Sequence, residues 1–232
     1  MSLAIVIPVL NEAKHIAATL THLTALRARG AEIIVVDGGS SDDTCTIAAP
    51  LADRVITAAP GRASQMNAGA AIARHEVLLF LHADTQLPSG ADSLILQFLK
   101  SGRHRWGRFD VHIDGSPRML RIVAAMMNWR SRLTGIATGD QAIFVTRSTF
   151  EAAGRFPEIA LMEDVALSRR LLSFSRPACI RAKAVTSGRR WEAQGVWRTI
   201  LLMWWLRLRY WLGASPQTLA DAYAGHRPKQ RS

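Results

Sequence analysis

The amino-acid sequence predicts an α/β protein built on a mostly parallel sheet with helices on both sides. Short apolar runs of strand length alternate with segments of helical periodicity, which is the order typical of parallel sheets. The apolar runs at residues 3–9, 33–36 and 77–81 are of the kind expected for strands buried on both faces. Polar residues follow each run, so polar side chains are expected to collect at one edge of the sheet.

The first hundred residues are expected to hold four strands and their connecting helices. Apolar residues recur every three or four positions from Ile16 to Leu26, which predicts one helix. Asn11 is its expected N-cap, and Gly30 is expected to end it. The other expected elements of this half are a strand at 54–57, a helix at 61–73, the strand at 77–81 and a helix at 89–99.

The second half continues with a different kind of strand. Phe109, Val111 and Ile113 alternate with charged residues, which predicts a half-buried strand at 108–114. The remaining expected elements are helices at 119–130, 147–153 and 165–172 and strands at 141–145 and 179–185.

A helix at 196–212 contains four of the seven tryptophans in the chain. Its longest uncharged run, residues 199–206, is too short to cross a bilayer. Tryptophan with arginine favours a helix at a membrane interface, but Arg207 lies about half a turn from Arg198 and Arg209, so the polar face is not clean. Packing against the domain or against a second subunit is the alternative. The tail from residue 224 is short and basic.

The formal net charge is +11, and the excess lies in the second half. Residues 1–100 carry 7 Lys and Arg against 9 Asp and Glu, whereas residues 101–232 carry 22 against 9. This favours contact with phosphate, nucleic acid or lipid headgroups, although solubility alone also explains it. Two cysteines and the absence of a signal-peptide pattern predict a reducing, cytoplasmic location.

Polar side chains at predicted strand ends form the first candidate site. His82 and Asp84 follow the strand at 77–81, and Asp37 follows the strand at 33–36. Residues i and i+2 of an extended chain point the same way, so we expect His82 and Asp84 to face one ligand, a metal with a diphosphate. The alternatives are a solvated strand end for this pair and a turn cap for Asp37. Gly38-Gly39 does not match the dinucleotide fingerprint, and no phosphate-loop lysine is present.

Four motifs, taken together, resemble glycosyltransferase family 2, the inverting nucleotide-sugar enzymes of GT-A fold. They are the run at residues 5–12, the run at residues 35–44, the strand end at Asp84, and Met162-Glu163-Asp164. The resemblance implies an α/β fold with a Rossmann-like, mostly parallel sheet and, here, a C-terminal helical extension. It implies a GT-A domain at 1–193, divided into a nucleotide-binding half at 1–100 and an acceptor half at 101–193. Residues 194–232 would form the Trp/Arg-rich helix and tail.

The resemblance also implies roles for individual residues on the donor side. Pro8 and Glu12 would line the nucleotide pocket, where Asp37 would accept a hydrogen bond from the base, typically uracil. Arg62 would lie near the nucleotide or its phosphates, and Asn67 is assigned to the same pocket.

The metal and the general base follow from the same resemblance. Asp84 matches the last acid of the Asp-x-Asp motif, which binds Mn²⁺ or Mg²⁺, and His82 replaces the first acid. A neutral imidazole can bind Mn²⁺ or a phosphate, but it removes a negative charge. Asp164 matches the general base and is preferred to Glu163. For both acids, stabilisation of the helix dipole is the alternative.

The acceptor and diphosphate region is assigned to Asp140, Arg190 and Trp191. Residues 189–191 partly resemble the Gln-x-x-Arg-Trp motif of processive members, with Ser187 in place of the glutamine. Arg190 would reach the diphosphate and Trp191 would stack under an acceptor ring, but the departure speaks against polymer synthesis.

A narrower resemblance is to a bacterial subgroup described as arsenosugar-biosynthesis glycosyltransferases, associated with radical-SAM proteins. It depends on residues 61–70, 79–85, 128–135 and 138–144. The implied partners are a nucleotide sugar, with UDP favoured, and an unidentified hydroxyl acceptor. Peripheral contact with the inner membrane face or a homodimer through residues 196–212 is also expected.

Two other classes compete with this interpretation. A basic module that binds nucleic acid or a membrane surface without catalysis would explain the charge, but no nucleic-acid recognition motif accompanies it, so we expect no nucleic-acid partner. A sugar-1-phosphate nucleotidyltransferase would share the sheet, yet it needs a Gly-rich basic signature where this chain has Leu10-Asn11-Glu12.

Overall fold

A computed structural model describes residues 2–225 of the protein. Eight strands form one sheet. They are β1 (Leu3–Val9), β2 (Glu32–Asp37), β3 (Arg54–Thr57), β4 (Val77–Phe80), β5 (Thr85–Gln86), β6 (Trp106–Asp114), β7 (Ile143–Thr146) and β8 (Ala178–Ser187).

The helices that cover the sheet are short apart from two of 16 residues, α6 and α10. They are α1 (Ile16–His22), α2 (Thr24–Ala28), α3 (Thr44–Ala48), α4 (Arg62–Ile72), α5 (Ala91–Lys100), α6 (Met119–Thr134), α7 (Arg147–Ala152), α8 (Glu163–Leu171), α9 (Arg189–Gln194), α10 (Val196–Trp211) and α11 (Pro216–Ala224). A 3₁₀ turn at Gly139–Gln141 precedes β7.

The strand order is β3-β2-β1-β4-β7-β6-β8-β5. The pairs β1–β2, β1–β4, β2–β3 and β6–β8 are parallel, whereas β7 is antiparallel to both of its neighbours and β5 is antiparallel to β8. The predicted mostly parallel α/β sheet is therefore confirmed. Because the chain leaves β1 in one direction to β2 and reaches β4 on the other side, a topological switch point lies between β1 and β4.

Two buried apolar clusters cover the two faces of the sheet. The inward face of α1, including Ile16 and Leu20, packs with β1 residues such as Ile5, and α4 packs through Met66 on the opposite face. At Gly69 of α4, an added Cβ would lie 2.4 Å from the Val6 side chain, so helix and sheet approach each other more closely than alanine allows.

The two long helices pack beside β6. Val123 of α6 and Ile200 of α10 belong to one apolar cluster with β6. Leu202 and Leu206 of α10 pack on Met162 and Val165, which flank the start of α8. The helix predicted at 196–212 therefore packs on the domain along its inner side, and α8 and α10 lie close together near Asp164. The division into domains at residue 193 stays a prediction.

Two local predictions are wrong. The helix predicted after Asn11 begins only at Ile16 and breaks at Leu23, because Asn11 adopts a left-handed conformation (φ 55°) and its side chain accepts from Ser41 instead. Arg108 in β6 is fully buried, although the alternation predicted a half-buried strand. It pairs with Asp110 and donates to Ser131 Oγ at 3.1 Å, which satisfies its charge under α6.

Candidate active site

The candidate site lies at the edge of the sheet where β1, β2 and β4 end. Because β7 runs antiparallel to β4, with Ile143 opposite Phe80, the turn before β7 lies at the same edge. The end of β8 joins them, since the Ser187 N–H donates to the Asp84 carbonyl oxygen at 3.2 Å. The loops that carry the predicted site residues therefore meet along one cleft.

Hydrogen bonds join the loop after β1 to the loop after β2. The Asn11 N–H donates to Ser40 Oγ and the Glu12 N–H to Thr44 Oγ1, each at 2.8 Å. The Ala13 N–H donates to Asp42 at 3.1 Å. The run at residues 5–12 and the run at residues 35–44 therefore build one pocket wall.

Asp37 is buried at the end of β2 and holds its own turn. One carboxylate oxygen accepts from the Gly39 and Ser40 N–H groups at 2.9 Å, and the other accepts from the Ser40 hydroxyl. Burial alone would raise the pKa of Asp37, but the hydrogen bonds from Ser40 and Gly39 lower it. The carboxylate is ionised and acts as a turn cap, the alternative considered from the sequence, and its charge lies at the pocket wall.

Gln65 of α4 joins the ends of the two strands that carry this pocket, a contribution that the sequence did not predict. Its side-chain amide donates to the Val9 and Val36 carbonyl oxygens at 2.8 Å, and it is 4% exposed. An added Cβ at Gly38 would lie 3.0 Å from this amide, so the glycine makes room for it. Pro8, which is buried in β1, pairs with Val36 in the same register.

Asn67 has a structural contact that its assignment to the nucleotide pocket did not anticipate. Its amide nitrogen donates to the Phe156 carbonyl oxygen at 2.9 Å, and its amide oxygen accepts from the Phe156 N–H at 3.1 Å. Both ends of the amide therefore hold the loop before α8. The predicted nucleotide contact of Asn67 stays a prediction.

His82 lies against the turn that precedes β7. Its Nδ1 is 3.2 Å from Asp140 Oδ1, and an added Cβ at Gly139 would lie 2.3 Å from its Nε2. Burial would raise the pKa of Asp140, but the hydrogen bond and charge of His82, with Arg62 and Arg190, lower it to about 2. Asp140 is thus ionised at neutral pH, beside an imidazole that its own turn fixes.

Asp84 has different neighbours from His82, and the extended chain from which the two were expected to face one ligand is not present. The chain turns after β4, with the Thr85 N–H donating to the His82 carbonyl oxygen at 3.0 Å, and residues 82 and 84 are not in an extended strand. Asp84 lies 3.9 Å from Arg189 and close to Glu12. Burial and the negative charge of Asp84 raise the pKa of Glu12.

Residues 2–225 contain no group of three or more His, Cys, Asp or Glu side chains arranged to hold a metal ion. The nearest approach to a donor set is the carboxylate pair of Asp84 and Glu12. A hard divalent cation is commonly bound by one or two carboxylates together with substrate phosphates, so two oxygen donors at this edge fit such an ion. His82 is turned toward Asp140 and does not extend this pair.

Glu163 and Asp164 begin α8 and line a small cleft with His82 and Gly139. Asp164 accepts a hydrogen bond from the Gly139 N–H at 2.9 Å, which fixes one of its oxygens. Glu163 is buried, and burial followed by the charge of Asp164 raises its pKa. The two adjacent acids therefore sit in different environments, and the one assigned as base is ordered by the turn that also holds His82.

Arginines surround these acids. The charge of Arg62 acts on Glu12, Asp140 and Glu163, which places it between the nucleotide side and the cleft. Arg190 acts on Asp140 and also lies over the Tyr223 ring. Trp191, in contrast, packs partly buried against the apolar cluster of β6 and α6, and its role under an acceptor ring stays a prediction.

Two further arginines at the cleft were not singled out from the sequence. Arg130 of α6 and Arg207 of α10 interact electrostatically with Asp164 and with each other. Burial, followed by the charge of Arg207, lowers the pKa of Arg130 to about 10. The sequence signal for these two arginines was the position of Arg207, on the side of its helix opposite Arg198 and Arg209. From the sequence alone, this position indicated only that charged residues are not confined to one face of the helix.

The outward side of α10 is apolar. We call its exposed residues the outer face of α10: Trp197, Leu201, Trp204, Trp205, Leu208, Trp211 and Leu212. At about 100° per residue, these residues fall within an arc of roughly 120° of the helix circumference. The exposed Arg198 and Arg209 lie next to one edge of this arc. Within residues 2–225, no helix combines the length and the apolar character needed to span a bilayer.

Comparison with known proteins gives a family match over most of this site. The model for glycosyl transferase family 2 matches residues 4–151. Uncharacterized glycosyltransferases of Mycobacterium tuberculosis (Rv0539) and Mycobacterium bovis (Mb0553) are 30% identical over 140 residues. The match covers 56% of this chain and 60% of each relative, so the chain spans about three fifths of the curated relatives.

Solved structures show the same fold at low sequence identity. S. aureus TarS 1–349 in complex with UDP-GlcNAc superposes with a TM-score of 0.65 at 17% identity, covering 81% of this chain and 58% of that one. The mannosyltransferase PcManGT from Pyrobaculum calidifontis in complex with GDP-Man and Mn²⁺ gives 0.60 at 20% identity, covering 79% and 56%. These likenesses confirm the GT-A-like architecture of the sheet and its helices.

Proposed function

Because the chain belongs to glycosyl transferase family 2, we propose that it transfers a sugar, with inversion, from a nucleoside diphosphate sugar to an acceptor hydroxyl. The observation that carries this proposal is the cleft itself. Asp164, ordered by the Gly139 N–H, lines it, and the joined loops after β1 and β2 lie at the same edge of the sheet. A base and a nucleotide pocket at one sheet edge are what a single displacement requires.

The nucleotide is proposed to lie against the loops after β1 and β2, with the base near Asp37 and the diphosphate toward Arg62, Arg189 and Arg190. UDP is the favoured nucleotide, supported by the UDP-GlcNAc complex of TarS, while the GDP-Man complex of PcManGT keeps GDP in the panel to be tested. Negative charge grows on the leaving diphosphate as the glycosidic bond breaks. Preorganised arginines stabilise that charge without rearranging.

Asp164 is the proposed general base. As the acceptor oxygen attacks the anomeric carbon, its proton passes to the Asp164 carboxylate, and the bond to the diphosphate breaks on the opposite face. One direct displacement inverts the anomeric centre. Glu163 is a weaker candidate at the reacting atoms because its side chain is buried at 6% exposure; we propose that it positions the start of α8.

A divalent cation, Mn²⁺ or Mg²⁺, is proposed to bind at Asp84 with the donor diphosphate. Asp84 and Glu12 supply oxygen donors whose mutual repulsion such an ion would relieve. The ion would add electrostatic stabilisation of the leaving group when bound. The Mn²⁺ in the PcManGT complex supports this assignment, whereas His82 is proposed to orient Asp140.

More narrowly, we propose that the protein acts in arsenosugar biosynthesis and that its acceptor is a hydroxylated arsenic compound. The segments that carry the subgroup resemblance include Met66, His82 and Gly139, which line the cleft next to Asp164. A specialised acceptor would contact this part of the site. Incubation of a donor with hydroxylated arsenic compounds and with their carbon analogues, followed by mass spectrometry of the products, tests this assignment.

We also propose that the outer face of α10 rests on an anionic membrane surface. Its four tryptophans are 45–70% exposed, and the exposed arginines beside them complement anionic headgroups. Sedimentation with phosphatidylglycerol vesicles, but not with phosphatidylcholine vesicles, is expected, and Trp204→Glu is expected to reduce it. Equal sedimentation of wild type and variant, or a dimer that the same substitution dissociates, would contradict a lipid contact.

Family membership speaks against a purely binding module and against a nucleotidyltransferase. The direct test is a thermal-shift screen of UDP, GDP, ADP and TDP with and without Mn²⁺. We expect one nucleotide to raise the melting temperature in a metal-dependent way and Asp84→Ala to abolish the rise. Asp221→Ala, an exposed acid on α11, is the matched control. The absence of a shift with all four nucleotides would overturn the proposal.

A further inference from the structure

Arg130 and Arg207 present an unexplained accumulation of positive charge beside the proposed base. The Nε and Nη2 atoms of Arg130 are buried and have no hydrogen-bond partner among the described residues. Neither arginine forms an ion pair within 4.0 Å with any acid of residues 2–225, because the ion pairs found there involve other arginines and one histidine. A buried guanidinium with unpaired nitrogens is costly unless something else pairs with it.

The packing of three helices brings these two side chains together. Met127 of α6 and Ile200 of α10 share one apolar cluster, and Arg130 lies one turn beyond Met127 on the same side of its helix. Arg207 lies two turns beyond Ile200 on the side of α10 that carries Met203. Met203 and Leu206 in turn pack with Met162 and Val165 around Asp164.

The charges of the cleft divide into two groups. Arg62 and Arg189 act on Glu12 at the nucleotide side, and Arg190 joins Arg62 at Asp140. Arg130 and Arg207 are coupled to Asp164, and Arg207 also to Asp140. The second group therefore acts on the proposed base and not on Glu12, and the acceptor must reach this base to give its proton to Asp164.

We propose that Arg130 and Arg207 form an oxyanion subsite that binds an anionic group of the acceptor. The acceptor would be a hydroxyl compound carrying a phosphate, carboxylate or similar oxyanion near the hydroxyl that reacts. Two guanidinium groups match such oxygens with several donors, and the anion would fill the unmet hydrogen bonds of Arg130. This inference deepens the proposed function and depends on Asp164 being at the acceptor end of the cleft.

The test measures phosphate binding to the protein already saturated with its nucleoside diphosphate. Inorganic phosphate is titrated by calorimetry into wild type, Arg130→Met and Arg207→Met. Arg103→Met, an exposed arginine in the loop after α5, is the control. We expect both cleft variants to bind phosphate at least tenfold more weakly, with nucleotide affinity within twofold of wild type, and the control to be unchanged.

Folding of the variants is checked by their melting temperatures without ligand. Removing a buried, unpaired guanidinium is expected to leave the melting temperature equal or higher, because methionine is apolar and of similar length. Two separate variants guard against a single folding failure. Phosphate affinity equal in wild type and both variants would overturn the subsite. An equal loss of nucleotide and phosphate affinity would also overturn it, because the arginines would then belong to the donor diphosphate.

Failure of the proposed function is distinguishable, since wild type would then bind none of the four nucleotides, and phosphate would be titrated into the nucleotide-free protein instead. Two further arms identify the source of the oxyanion. Faster nucleotide release with glycerol 3-phosphate than with glycerol, lost in Arg207→Met, supports a soluble acceptor. Binding to phosphatidylglycerol vesicles that falls more in Arg207→Met than in Arg103→Met supports a lipid headgroup in the same subsite.

Discussion

Gly139→Ala is expected to displace the His82 imidazole and slow sugar transfer while leaving the fold intact. An ideal Cβ at residue 139 would lie 2.3 Å from His82 Nε2 and 2.4 Å from Cε1. Carbon atoms prefer separations of about 3.5–4.0 Å, so the ring must retreat by roughly 1 Å. The hydrogen bond to Asp140 is already 3.2 Å long and would be lost.

The same residue holds the proposed base, because the Gly139 N–H donates to Asp164 at 2.9 Å. Misplacement of a catalytic group by about 1 Å can cost on the order of 10²-fold in rate. We therefore expect nucleoside diphosphate release from the donor to fall by about that factor. Overpacking is expected to cost about 1–3 kcal/mol of stability at most, measured by urea unfolding.

A double-mutant cycle with His82→Ala isolates the cause. Without the imidazole, the methyl group that Gly139→Ala adds meets no ring, so the second substitution should add little to the loss in His82→Ala. Wild-type activity in Gly139→Ala would refute the reasoning. So would an undiminished effect of Gly139→Ala in the His82→Ala background.

Three other outcomes follow from the contacts of single residues. Glu163→Gln should increase the free energy of unfolding at pH 7 but not at pH 4. Burial raises the pKa of Glu163 in the folded protein above its usual 4.5, so the wild type loses stability as the pH rises from the unfolded to the folded pKa. Equal effects of the substitution at both pH values would contradict this. Asn67→Ala should lower the free energy of unfolding by about 1–3 kcal/mol without changing nucleotide affinity in calorimetry, because both ends of its amide hold Phe156. Gln65→Ala should weaken nucleotide binding without removing a direct contact, because the Gln65 amide holds the ends of β1 and β2 beneath the proposed pocket. An unchanged nucleotide dissociation constant would count against this role of Gln65.

The sequence was a good guide to features that depend on local pattern. Buried strands are apolar runs, and their ends collect at one edge of a parallel sheet, so β1, β2 and β4 and the residues after them were predictable. The antiparallel direction of β7 was not predictable, because it depends on a tertiary crossing. That crossing is what brings Asp140 to His82.

The errors have specific physical causes. His82 and Asp84 were expected on one face because the strand was assumed to continue, but it ends at Phe80 and the chain turns. The packing of Trp191 and the hydrogen bonds of Asn67 to Phe156 were not predicted, because they depend on tertiary neighbours that a sequence motif does not contain. Arg108 was expected on a solvated face of β6, because the alternation of apolar and charged residues does not reveal that α6 covers that face.

Asp164 is proposed to accept the proton of the acceptor hydroxyl as the sugar is transferred. This role is tested by measuring nucleoside diphosphate release from a panel of nucleotide sugars by wild type and by Asp164→Asn. We expect release from at least one donor, a rate slower by about 10²–10⁴-fold in the variant, and the same nucleotide dissociation constant in both. Release from no donor, or equal rates in the two proteins, would contradict the claim.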